Sequence, residues 1–187
     1  MTLFTLFFAT FLCSHSDSAG QALASMAESR PRFEDFRVGD VFQGRHPKIV
    51  WPDGFDPSEP AHDRLVFAAQ STVQKKPNFA GHYGIAEYSC GTNCAELVIV
   101  DLKSGAVLEN SPYTTIESHF DSKKGASYEG ISFRRQSRLL IASGCFDWDV
   151  PTSSRECGTK YFEFKNAKFV LLQFIPGPIP EYLKSRR

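Results

Sequence analysis

Two cysteine pairs, each set between runs of strand character, constrain this chain more than any other feature. Cys90 and Cys94 lie in "YSCGTNCAELVIVDLKSGAVLE", and Cys145 and Cys157 in "RLLIASGCFDWDVPTSSRECGTKYFEFKNAKFVLLQF". In each stretch an apolar or alternating run leads into the first cysteine and a second such run leaves the next. A tight-turn signal follows, Lys103-Ser104-Gly105 in one and Lys165-Asn166 in the other, and the chain then returns as a third apolar run. The layout strand, Cys, loop, Cys, strand, turn, strand therefore occurs twice. It reads as a degenerate internal repeat of two three-stranded meanders, each with its first crossing stapled.

The N-terminus decides how those cysteines are used. "MTLFTLFFATFLC" carries a continuous apolar run from Leu3 to Leu12, followed by a polar stretch. As a helix such a run spans only about 15 Å, roughly half a hydrocarbon core. A secretory signal peptide over residues 1–24 fits it, with Ala22 and Ala24 forming the small-residue cleavage pattern. Leu12, directly before Cys13, argues against lipid attachment at that cysteine. Removal of the signal also removes Cys13 and leaves an even four in a chain bound for an oxidising compartment, the arithmetic of two disulfides. Four cysteines allow three pairings, and the layout favours the local one, Cys90–Cys94 with Cys145–Cys157. Chain entropy alone gives such rings about 2 and about 3 kcal/mol of stabilisation.

Zinc competes for the same residues, because three intervening residues suit one half of a four-cysteine site. The second pair, with eleven between, lacks that knuckle spacing. A thioredoxin-like centre needs two intervening residues and a βαβ setting, and neither is present.

Residues 25–187 then form a single disulfide-stapled β-rich domain. One helix is expected over 59–75, with Ser58 as N-cap, Pro60 in the first turn and an apolar stripe of Leu65, Val66, Ala69 and Val73. "RVGDVFQG" suggests a short strand with a Gly39-Asp40 turn, and 110–130 reads as a long polar connection. The fold class is α+β, mostly antiparallel β: a curled sheet or sandwich of two meanders with the N-terminal helix packed on it. Two units cannot close a propeller. With 21 basic and 21 acidic residues, the chain has no net field to attract nucleic acid or an anionic membrane. The basic cluster "RRQSR" at 134–138 reads as solvated charge.

The stretch "PNFAGHY", with "CGTNC", "IVDLKSG" and "SRLLI", resembles a group of bacterial secreted proteins of unassigned activity. The matching positions are Asn78, Phe79, Gly81 and Tyr83, then Cys90, Gly91 and Cys94, then Asp101 and Gly105; Tyr88-Ser89 departs from the Trp-Gly of that pattern. The resemblance implies bacterial export and a β-rich fold, and it carries no activity.

Chemistry is sparse. His82 sits among Asn78, Tyr83 and Glu87, but His82 and Glu87 are five residues apart and would face opposite sides of one strand. A histidine bonded to backbone is the plainer reading, and a hydrolase using His82 with Glu87 or Asp101 is the sharper one. His119 and Asp121 lie in the long connection as weak metal candidates. No nucleophile elbow, phosphate loop or two-histidine zinc signature is present. The loop inside the Cys145–Cys157 ring carries Phe146, Asp147, Trp148 and Asp149: either a pre-ordered recognition surface or a tryptophan that caps the core between solvated aspartates. Two carboxylates alone make a poor calcium site. The expectation is an exported, periplasmic, non-enzymatic binding protein without cofactor or metal. Its partner would be another envelope or secreted protein, of the inhibitor or immunity-factor kind, with no nucleic acid and no stable membrane insertion. The alternative is an envelope hydrolase.

Overall fold

Alternation becomes strand at both cysteine pairs. The computed structural model describes residues 29–45, 47–91, 94–108, 111–117, 120–121, 126–127, 130–146 and 156–179. The chain divides into two units, Met1–Arg30 and Pro31–Arg187, and the architecture below is that of the second. The signal segment expected over 1–24 and most of the Cys145–Cys157 loop lie outside the described residues.

The first meander runs β1 (Tyr83–Gly91), β2 (Cys94–Asp101) and β3 (Val107–Leu108); the second runs β8 (Leu139–Phe146), β9 (Glu156–Lys165) and β10 (Lys168–Pro176). All six belong to one antiparallel sheet whose main path is β1-β2-β4-β8-β9-β10, with β3 off that path and β4 the two-residue strand Ile116–Glu117. β3 pairs with the upper end of β2, and β7 (Gly130–Phe133) pairs with β8. β5 (Phe120–Asp121) and β6 (Ala126–Ser127) form a separate hairpin. The segment 110–130 is therefore no mere connection: it supplies the strand that joins the two meanders. Two residues are too few for a period of two to show in a sequence.

The junction has a specific register. Cys94 pairs with Glu117, Glu117 with Cys145, and Cys145 with Cys157, so three half-cystines stand in one transverse row across β2, β4, β8 and β9. Directly opposed residues share a face of a sheet. Both expected disulfides are present, Cys90–Cys94 and Cys145–Cys157. The covalent bonds thus lie at the same level as the narrowest point of the sheet, one on each side of it. With every one of these sulfurs bonded to another, the zinc reading is overturned.

The sheet is open and curled. In a flat sheet β1 and β9, four strand spacings apart, would be about 19 Å from each other. Instead the Tyr83 ring lies 4.7 Å from the ring of Phe164. The inner face closes over an aromatic core of Phe79, Leu97, Ile99, Ile116, Leu140, Phe146, Phe162 and Phe164, with Phe169 and Phe133 packed on it. Phe79 is fully buried at its centre, meeting Phe164 at 5.3 Å, Phe169 at 6.1 Å and Phe133 at 6.2 Å.

The outer face of the first meander takes the helix. Pro60–His62 form a 3-10 turn that leads into α1 (Asp63–Val73). Ala68, Ala69 and Val73 pack on Val98, Val100, Leu102 and Val107. Thr72 approaches β1 at Gly84, where a side chain of any size would collide with it. Two local expectations are corrected. Ser58 does not cap the helix, since its N–H and hydroxyl both donate to Asp56 Oδ1 in a local turn. The apolar stripe itself packs through Leu65, Ala69 and Val73, with Ala68 and Thr72 buried beside it and Phe67 exposed. "RVGDVFQG" is not a hairpin either: Val38 N–H donates to the Gln136 carbonyl and Phe42 N–H to that of Gly81. Neighbouring chain, distant in sequence, takes its hydrogen bonds.

Candidate functional site

The motif Asn78 to Tyr83 folds as one tight unit. Phe79 N–H donates to Tyr83 O at 3.0 Å and Tyr83 N–H to Phe79 O at 3.0 Å, which leaves Ala80, Gly81 and His82 as the crossing. Ala80 has φ 41° and Gly81 φ 81°. A β-carbon on Gly81 would stand 2.7 Å from the Asp40 carbonyl oxygen, so glycine is required there on two counts. Asn78 contributes its amide: Nδ2 donates to Ile85 O at 2.8 Å, and Ile85 N–H donates to Oδ1 at 2.8 Å. A side chain thereby stands in for the missing strand beside β1. Every residue of Asn-Phe-x-Gly-x-Tyr has a structural task, and the two unspecified positions, the buried Ala80 and the half-buried His82, line a cleft.

The opposite wall is the β9–β10 turn, where Asn166 has φ 53° and Ala167 φ 56°. Positive φ at alanine costs about 1–2 kcal/mol. Among the described residues, Ala80, Asn166 and Ala167 are the non-glycine positions with positive φ, and all three line this one cleft of about 440 Å³. His82, Tyr83, Arg138 and Lys165 complete its chemically useful wall. Arg138 is tied to Glu163 at 3.0 Å. Backbone strain gathered at one cavity is a mark of functional surfaces.

His82 lies with its ring 4.1 Å from that of Tyr83, and its Nε2 is 3.9 Å from Asp101 Oδ1, an electrostatic contact beyond hydrogen-bond reach. Partial burial pushes the imidazole below its ordinary range, the Lys103 ammonium adds to this, and Asp101 pulls it back. His82 is therefore mainly neutral at pH 7. Burial also raises the Tyr83 hydroxyl, with the Asp101 charge assisting. Asp101 accepts the Lys103 N–H at 2.8 Å, a bond that shapes its turn.

The other sequence candidates fall elsewhere. Glu87 pairs with Leu97, four residues along β1 from Tyr83, about 13 Å away along the strand. Its side chain stays exposed while partial desolvation raises the carboxyl. The structure separates it from His82, which ends that pairing and leaves Asp101. Phe146 is a core residue, 3% exposed, under the Lys160 ammonium at 4.4 Å. Asp147, Trp148, Asp149 and His119 lie outside the described residues, as does the side chain of Asp121. Among the described residues no three His, Cys, Asp or Glu side chains gather as a metal site, and no helix is long and apolar enough to cross a membrane.

Sequence reasoning missed Ala80, Asn166 and Ala167 as a group, because a strained alanine has no signature in one sequence and the two turns are more than eighty residues apart. Only the Lys165-Asn166 turn signal was available. Comparison with protein-family models, curated proteins and solved structures found no match for the chain.

Proposed function

We propose that this chain is an exported binding protein that receives another envelope or secreted protein at the cleft between the Phe79–Tyr83 turn and the β9–β10 turn. The observation that carries the reading is the convergence of two alanines held at positive φ, Ala80 and Ala167, on one cavity beside His82. β10, an outer strand of the open sheet, begins at the rim of that cleft, and its Val170 and Leu171 are 52% and 50% exposed. Apolar side chains on an edge strand supply the area that a protein partner would cover. The two disulfides support export, since such bonds persist in oxidising compartments.

The test is capture from envelope extract with the wild-type chain, purification of the captured protein, and titration of that protein against His82→Ala and Lys165→Glu. A loss of about tenfold or more in affinity supports the cleft. Equal affinity of both variants with wild type removes the cleft from the reading.

One observation favours the second reading, an envelope hydrolase: His82 Nε2 stands 3.9 Å from Asp101 Oδ1. A panel of envelope substrates assayed with wild type and His82→Ala decides it, because an unchanged rate removes His82 as a base.

A further inference from the structure

Within the basic cluster at 134–138, Arg138 lines the cleft described above, while residues 134 to 137 line another. The cluster's backbone is pinned from three directions. Val38 N–H donates to Gln136 O at 3.1 Å, Arg138 N–H to Phe36 O at 2.9 Å, and Gly81 N–H to Arg135 O at 2.8 Å. Ser137, buried, donates its hydroxyl to Phe33 O at 2.9 Å. These bonds hold the 3-10 turn Phe33–Phe36 against the segment and bring Arg37 to Arg134 and Arg135 around a second cleft of about 370 Å³.

The three arginines are not equivalent. Arg134 lies over the Phe33 ring at 4.4 Å and is neutralised by Glu34 at 2.6 Å. Arg37 and Arg135 have no acidic partner among the described residues. The Arg135 Nε is buried without a hydrogen-bond acceptor, an arrangement that is costly for a charged donor and rare in folded proteins. Three guanidiniums against one carboxylate leave the lining with two uncompensated positive charges.

We propose that this cleft binds a phosphate-class dianion, inorganic phosphate or a phosphomonoester, held between the guanidiniums of Arg37 and Arg135 that line it. A guanidinium presents paired donors that match such oxygens. A dianion balances both free charges, and a monocarboxylate balances one. The volume leaves room beyond a phosphate group for the body of an ester. This inference stands independently of the partner cleft.

The experiment follows the arginine Nε–H resonances of the full chain by 15N-correlated NMR during titration with inorganic phosphate, phenyl phosphate and acetate. A saturable shift of the Arg135 Nε–H is expected with both phosphates, strengthening as pH rises through about 6, where the second ionisation completes the dianion. Arg37→Ala and Arg135→Ala should each weaken phosphate binding by about tenfold or more, while Arg64→Ala, which removes a donor to the Ser89 carbonyl and does not line this cleft, should leave it within about twofold. Arg37 is exposed, so Arg37→Ala remains informative even if Arg135→Ala fails to fold. An Arg135 Nε–H that does not move in 10 mM phosphate (on the order of ten times a weak-site Kd) overturns the proposal. Losses equal to that of Arg64→Ala overturn it too, as does equal binding of acetate. Tighter binding of phenyl phosphate than of inorganic phosphate assigns the ester as the ligand, and the reverse assigns the free ion.

Discussion

Replacing Asn78 tests whether a side chain completes the sheet. Ile85 is 3% exposed, and its N–H and C=O face away from β2 toward the Asn78 amide, with both bonds at 2.8 Å. Asn78→Ala removes both partners and leaves a buried donor and a buried acceptor, each costing about 1–3 kcal/mol when unpaired. Allowing for partial access of water at the half-buried Asn78, the expected loss is about 2–4 kcal/mol. Urea unfolding should show a lower midpoint at constant slope. Asn78→Asp separates hydrogen bonding from packing, because it keeps the shape. As a carboxylate the new side chain accepts from the Ile85 N–H but opposes the Ile85 carbonyl; once protonated it can donate to that carbonyl. Its folded-state pKa is therefore raised above the unfolded value of about 3.9. The sign follows from linkage: the variant regains stability that is fully present below about pH 3.9 and lost as pH rises through the folded pKa. Relative to wild type, then, Asn78→Asp recovers on acidification and Asn78→Ala does not. A loss below about 0.5 kcal/mol for Asn78→Ala, within the range of an ordinary surface change, would refute the reasoning. So would parallel pH profiles for the two variants.

Three further outcomes are expected. Gly81→Ala should cost about 2–4 kcal/mol, because φ is 81° and Asp40 O is 2.7 Å from the added carbon, whereas Gly54→Ala, at the same φ but in open space, should cost about 1 kcal/mol; equal losses would rule out the steric part. His82 titrates below about 6.5, so its contribution to stability is present above that pH and is lost as pH falls through the folded pKa. In NMR titration of its ring protons, Lys103→Ala should move the midpoint up and Asp101→Asn down, and the opposite order would contradict the assigned causes. Non-reducing peptide mapping should find Cys90–Cys94 and Cys145–Cys157, with removal of each bond costing about 2 and about 3 kcal/mol in chemical unfolding.

The parts legible in the sequence share one property: they depend on neighbours along the chain. Period-two runs gave β1, β2, β8, β9 and β10, turn residues placed the Lys165–Lys168 reversal, and short spacing favoured the local disulfide pairing. The helix was legible within two residues at its C-terminal end and in Leu65, Ala69 and Val73 of its packed stripe; the burial of Thr72 was not, because it depends on Gly84 of a strand the helix has yet to meet. The candidate site was legible only in fragments. His82 and Asp101 could be named, but their approach to 3.9 Å depends on the pairing of Tyr83 with Asp101 across β1 and β2.

By itself, then, the order of residues determined the strands, the covalent framework and the presence of a mainly antiparallel sheet, since each arises from local periodicity or from ring closure over a few residues. Tertiary structure alone decided that a two-residue strand joins the meanders at the level of both disulfides. It also decided that the sheet curls until Tyr83 meets Phe164, and that two strained turns and two groups of distant arginines each enclose a cleft. These are contacts between segments far apart in the chain, made favourable by burying one continuous aromatic core, and no local pattern encodes which distant surface will cover that core.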